Sequence, residues 1–299
     1  MTYSIVARDP GTGEMGVAVQ SHYFSVGSIV GWAEAGVGVV ATQAMVNASL
    51  GPLGLARMRA GESPFDAMDA LLDADEGQVY RQVALLSADG EVAAYTGAKC
   101  IAEAGHLAGD GFSVQANMML NATIWPAMAA AFNTAEGPLA ERLVVAMEAA
   151  EEAGGDVRGQ QSASLLVVRG EATDKPWSDR LVDLRVEDHA RPVAELKRLL
   201  RLHRAYRHMD AGDLAIEKGN AAQAMQEYGA AEAMFPNNLE MQFWHAVALA
   251  NLGRIEEALP LFRSVFVQDP NWRTLTARLP VAGVLDVNND DLKAILVQR

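Results

Sequence analysis

The sequence predicts an α+β chain in two parts: a four-layer α-β-β-α sandwich over residues 1–190, then a small all-α domain of helical repeats over 208–299. Three observations carry this reading. Short apolar runs punctuated by Gly, Pro, Asp and Asn recur from residue 2 to residue 188, as antiparallel strands do. Alanine-rich amphipathic stretches fall in two separate clusters between those runs. Beyond residue 206 the chain repeats itself at a spacing of 34, with Gly219 returning as Gly253, Ala224 as Ala258, Tyr228 as Phe262, Pro236 as Pro270 and Asn237 as Asn271. Residues 191–207 then form a linking helix between the two parts.

Taken in order, Thr2–Arg8 is rich in β-branched and aromatic residues and reads as a strand. Asp9-Pro10-Gly11-Thr12-Gly13 is strong turn chemistry, so Met15–Ser21 closes a hairpin on it. Gly36–Gln43 is a further buried strand, ended by Gly51-Pro52. A helix is expected over about residues 51–60, and another opens at Ser63-Pro64, where an N-cap precedes a proline at the first helical position. Val79–Ser87 and Glu91–Gly97 form a second hairpin around Ala88-Asp89-Gly90, and Phe112–Asn117 is a short strand. Residues 121–133 and 136–152 are helices parted by Glu136-Gly137-Pro138, with Gly154-Gly155 ending the second. Gln161–Arg169 and Leu181–Asp188 supply the last strands, and Pro192–His208 is a basic helix. A sheet hydrophobic on its faces needs covering layers, and two packed sheets with helices outside each accommodate both helical clusters.

The 34-residue period, with its small residue, aromatic and closing proline, is the tetratricopeptide signature. Each unit is a helix pair that buries its apolar face only by stacking on a neighbour. Met209–Pro236 and Gln242–Pro270 are the two clear units, with residues 272–299 as a cap. Such repeats serve either as a groove for a protein or peptide partner or as a packing appendage, and homo-oligomerisation is compatible with either.

Half of the 299 residues are hydrophobic and the formal net charge is −14. That balance argues against a nucleic-acid binder and against an anionic membrane surface. No stretch is apolar enough for a transmembrane helix, and MTYSIVARD lacks the basic and apolar regions of a secretory signal. Cys100 is the single cysteine, so neither an internal disulfide nor a cysteine zinc site is expected, and a cytoplasmic location fits. No histidine spacing suits a metal. The glycines of Gly36-Val37-Gly38-Val39-Val40-Ala41 lie within an apolar strand, not between strand and helix, which excludes a dinucleotide fingerprint. Asp286–Asp290 begins like a calcium loop but lacks its glycine and glutamate, and reads as a cap for the last helix. No cofactor and no metal are expected.

Six segments in order, SIVARDPGTGEMGVAVQSH, GVGVVATQAMVN, GPLGL, TGAKC, GDGFSVQANMM and GGDVRGQQSASLLVV, resemble the domain of unknown function 1028 family over residues 2 to about 200. That family is grouped by fold with the N-terminal nucleophile (Ntn) hydrolases. The resemblance implies an Ntn-like sandwich and no settled reaction. It places Thr2 in the nucleophile position: removal of Met1 would put a hydroxyl and an α-amine of pKa about 7.7–8.0 on one residue. Alternatively Thr2 simply begins a strand.

Polar residues at neighbouring strand ends are the candidate partners. Ser4 shares the face of Thr2, while Ser21 and His22 end the paired strand. His22 either orients a proton or substrate carboxylate, or is an ordinary strand-end histidine. Thr42, Gln43 and Asn47 end one strand, and Gln115 and Asn117 share one face of another. Amides such as Gln43 and Asn117 either steady a tetrahedral oxyanion or tie loops together. Asp156, Arg158, Gln161 and Ser162 cluster before a buried strand, where Arg158 either grips a carboxylate or pairs with Asp156. Two functions follow: an Ntn-type amidohydrolase of a small amide or acyl substrate, or a non-catalytic ligand-binding or scaffold domain whose repeats recruit a partner.

Overall fold

The computed structural model describes residues 2–298. The fate of Met1, on which the Thr2 expectation turns, lies outside the described residues. Contacts divide the chain into two units, one ending at Leu200 and one beginning at Arg201.

The first unit is mixed α and β, with two antiparallel sheets. Its strands are β1 (Thr2–Arg8), β2 (Met15–Ser21), β3 (Gly31–Glu34), β4 (Gly38–Ala44), β5 (Arg81–Ser87), β6 (Val92–Thr96), β7 (Gly105–Gly109), β8 (Phe112–Asn117), β9 (Ser162–Val168) and β10 (Arg180–Val186). The larger sheet has the order β10-β9-β2-β1-β8-β7 and the smaller β3-β4-β5-β6. The expected first hairpin is present, with Thr2 opposite Ser21 and Arg8 opposite Met15. β1 is paired on its other side too, which sets Thr2 across from Asn117 and Ser4 across from Gln115.

Alternation along β1 sends its side chains to two different surroundings. Tyr3, Ile5 and Ala7 join a core with Met128 and Phe132 of α3 (Ile124–Thr134) and Leu143 and Met147 of α4 (Leu139–Glu152). Val6 turns the other way and meets Val17 and Val19 together with Val39, Ala41, Ala84 and Leu86 of the smaller sheet. The far face of the smaller sheet, through Val40, Val83 and Leu85, packs on Leu55 and Met58 of α1 (Leu50–Arg59) and Met68 and Leu71 of α2 (Pro64–Asp73). Ser63 caps α2 as its sequence implies, accepting from the Asp66 amide.

Two strands, β3 and β7, exceed the sequence expectation, and both are sheet edges. The helix expected to end at His208 instead runs on as α5 (Pro192–Glu217). It therefore supplies the first helix of the first repeat. Gly212 does not break it, because a β-carbon there would fall 2.7 Å from the Tyr228 ring and the two helices need the close approach.

The second unit is helical: the end of α5, then α6 (Ala221–Met234), α7 (Leu239–Asn251), α8 (Ile255–Gln268), α9 (Asn271–Thr276) and α10 (Asn289–Leu296). The repeat letters now have physical roles. Gly219 and Gly253 hold φ of 70° and 74° just past α5 and α7, the left-handed helix stop that glycine accepts without strain. Ala224 and Ala258 are buried, and Tyr228 and Phe262 fill the cores beside them. Asn288 caps α10 by accepting from the Asp290 and Asp291 amides, so the calcium-like letters do form a helix cap.

Candidate functional site

The buried polar residues of β1, β8, β4 and β5 gather at one end of the two facing sheets. Strand alternation puts Thr2 and Ser4 on the side of β1 that faces the smaller sheet, and Gln43 and Gln82 come across from it. Ser4 Oγ donates to Gln43 Oε1 at 2.7 Å and accepts from Gln115 Nε2 at 2.6 Å. Gln43 Nε2 donates to the Thr2 carbonyl at 3.2 Å, to Gln82 Oε1 at 2.8 Å and to the Gln115 carbonyl at 3.3 Å. Asn117 Nδ2 donates to the Thr2 carbonyl at 3.3 Å and to Gln82 Oε1 at 2.8 Å. Thr2 Oγ1 lies 3.1 Å from Ser21 Oγ. The amide of Gln82 closes the knot, donating to Thr96 Oγ1, the Gly105 carbonyl and the Ala116 carbonyl.

Among the sequence candidates, Thr2, Ser4, Ser21, Gln43, Gln115 and Asn117 are thus brought together. Gln82, at the centre of them, carries no sequence signal, because one glutamine inside an apolar strand gives no pattern to read. Both hydrogens of each Gln43 and Asn117 amide are engaged, and their present work is to hold the Thr2 carbonyl. Asn117 Oδ1, by contrast, is a buried acceptor without a partner among the described residues. The space next to it, lined by Met45, Tyr80, Cys100 and Ile101, measures about 10 Å³, room for roughly one water. Burial pushes the Cys100 thiol up, which makes it a poor nucleophile at neutral pH.

The remaining candidates stand apart from this knot. Thr42 donates to the Asn47 carbonyl at 3.1 Å. Asn47 turns its amide to Asp75 at 3.3 Å. Asp75 in turn accepts from Arg81, which holds its carboxyl down to about 2, and Arg81 also reaches the Met45 carbonyl. This ion pair braces the loop beside the site, and neither member carried a sequence signal. A further cluster forms around Asp156, whose carboxylate accepts from the His22 amide at 3.2 Å and pairs with Arg158 at 2.7 Å. Of the two readings for Arg158, the geometry provides the pair with Asp156. His22 Nδ1 is buried without a partner among the described residues. Ser162 Oγ accepts from the Val26 amide and donates to the Tyr23 carbonyl, and the Gln161 carbonyl accepts from His189, so both fasten loops.

On the helix side of the same sheet, the wholly buried Tyr3 hydroxyl donates to Glu151. Burial, reinforced by Glu151, raises the Tyr3 phenol well above its ordinary value. Burial likewise raises the Glu151 carboxyl, against the hydrogen bond from Tyr3 and with the help of Asp156.

Apolar side chains rim the loops at this end of the sheets. Tyr23, Phe24, Met45, Leu120 and Val157 are each more than half exposed. Among the described residues no group of His, Cys, Asp and Glu is placed to hold a metal ion. No helix of the described chain is long and apolar enough to cross a membrane.

Residues 2–196 match the model of a family of unknown function (DUF1028), and residues 215–279 match a tetratricopeptide repeat model. Among solved structures, the chain is similar to protein SPO2555 from Silicibacter pomeroyi, itself described as DUF1028. The two share 31% identity and a TM-score of 0.61 over 67% of this chain and 84% of that one. No curated protein matches the chain.

Proposed function

Given that the chain belongs to the family of unknown function DUF1028, we propose that its first unit is an Ntn-type amidohydrolase acting on a small amide or acyl substrate. Its two sheets and their covering helices are read as the four-layer α-β-β-α sandwich of that class. The observation that carries the reading is the setting of Thr2: buried within an amide knot, directly across the ladder from Asn117, whose Oδ1 has no partner among the described residues. A neutral α-amine freed at Thr2 would give that acceptor the N–H donor it lacks and keep its lone pair for a proton.

In this reading Thr2 Oγ1 attacks the substrate carbonyl and the α-amine of Thr2 takes the hydroxyl proton. Gln43 and Asn117 position Thr2 through its carbonyl. One amide hydrogen then exchanges that carbonyl for the developing oxyanion, an interaction worth several kcal/mol in acyl transfer. The proton passes to the leaving amine, and water releases the acyl group from Thr2. The exposed apolar rim would receive the flanks of the substrate. The repeats of the second unit are proposed to bind a protein or peptide partner.

One observation favours the second reading, a non-catalytic binding or scaffold domain: the space at Asn117 must open before any substrate can enter. Intact-mass measurement of protein purified without an N-terminal tag tests both. The hydrolase reading expects loss of Met1 and a covalent adduct with an acylating probe that Thr2→Ala abolishes. Retained Met1, or an adduct that survives Thr2→Ala, sinks it.

A further inference from the structure

A cavity of the first unit lies at the opposite end of β1 from Thr2. It measures about 590 Å³, within the range of small-molecule sites, and is lined by Arg8, Glu14, Arg169 and Glu171 among glycine-rich turns. Arg8 ends β1, six residues after Thr2, which at about 3.3 Å per residue sets the two sites roughly 20 Å apart.

The charges that face this cavity are of two kinds. The flanking carboxylates are occupied. Asp9 accepts from Gly11, Thr12 and Arg142, Asp89 accepts from Ser87, and Asp179 accepts from Thr173 with Arg169 at 3.9 Å. Arg8 and Glu14 are not. Among the described residues the Arg8 side chain makes no hydrogen bond and no ion pair within 4 Å, although its charge helps to lower the Asp89 carboxyl, and its Nε is buried without a partner. A guanidinium with a buried, idle donor is costly unless something fills it. Glu14, one residue from the ladder partner of Arg8, has no ion pair either. Burial pushes its carboxyl up, with Asp9 adding and Arg169 opposing.

We propose that this cavity is a binding site for a small zwitterion, an amino acid or dipeptide. Its carboxylate lies in the fork of Arg8, supported by Arg169, and its ammonium lies on Glu14, supported by Glu171. Two cations and two carboxylates line this one cavity, so a simple anion or a simple cation would meet only half of them. A ligand carrying both signs satisfies both ends. Gly13 and Gly170 keep the floor low: a β-carbon at Gly170 would fall 2.6 Å from the Gly13 carbonyl.

The test is calorimetric titration of the full chain bearing Thr2→Ala, which prevents turnover, with glycine and glycylglycine as zwitterions. Acetate, ethylammonium and N-acetylglycinamide serve as anion, cation and neutral controls. Saturable binding of a zwitterion is expected, at least tenfold tighter than any control. Arg8→Ala and Glu14→Gln should each weaken it at least tenfold. If Arg8→Ala fails to fold by circular dichroism, Arg169→Ala tests the carboxylate end. Absence of saturable zwitterion binding, acetate binding equally well, or undiminished binding in the folded variants overturns the proposal. None of these outcomes depends on Thr2 being a nucleophile.

Discussion

Replacing Gln82 with Met keeps the length of the side chain and removes every hydrogen bond it makes. Gln82 accepts from Gln43 and Asn117 at 2.8 Å each, the shortest bond that either amide nitrogen donates. Met offers no comparable acceptor, so two buried amide groups each lose their best partner. Leaving a buried donor unsatisfied costs about 1–3 kcal/mol. Both amides keep their contact with the Thr2 carbonyl, which places the sum near the low end, about 3 kcal/mol. For a domain of this size each kcal/mol lowers the melting temperature by about 2–4 °C, so the first unit should melt roughly 6–12 °C earlier. Hydrogen exchange followed by mass spectrometry, read on peptides from β1, β5 and β8, isolates that unit from the helical one. Protection there should fall by about a hundredfold. A change of less than fivefold would refute the assignment of Gln82 as the centre of the knot.

Three further outcomes follow from other parts of the chain. Asp75→Asn should destabilise the first unit by about 2 kcal/mol at pH 7, since the carboxyl is lowered from 3.8 to about 2 by Arg81. A lowered folded value stabilises above the ordinary carboxylate range and fades as pH falls toward 2, so urea midpoints of parent and variant should converge there. Glu151→Gln has the opposite sign: burial raises this carboxyl, so its charge penalises folding once the pH exceeds the ordinary range. The variant should therefore gain on the parent in melting temperature between pH 4 and pH 8, and a widening deficit would contradict the assignment. Phe243→Ala should cost the helical unit about 3–5 kcal/mol, because this wholly buried ring touches Trp244, Phe262 and Trp272; the tryptophan fluorescence transition of that unit reports it.

Central strands and the repeat were legible in the sequence because their burial is complete and periodic. β1 and β2 have the bounds their residues imply, and Gly219, Tyr228 and Pro236 announce their counterparts 34 positions on. β3 and β7 were not legible. As edges they are only partly buried, and Gly105-His106-Leu107-Ala108-Gly109 offers no alternation to detect. At the site, Thr2, Gln43, Gln115 and Asn117 were readable as polar residues at strand ends. Gln82 and the Asp75–Arg81 pair were not, because their importance arises only when strands distant in sequence face each other. Thr42 and Asn47 stand beside Gln43 in the chain, yet strand alternation and a loop turn them away from it.

The amide knot also bears on how the two sheets are aligned. Most of the surface between them is valine, alanine and leucine, and such contact is indifferent to small sliding displacements. The bonds from Gln82 to the Gly105 and Ala116 carbonyls are directional and tolerate only a few tenths of an ångström. One end of the interface therefore acts as a locating pin while the greasy middle merely adheres. Loosening that pin should leave a molecule that still collapses but no longer sets Thr2 in one fixed place.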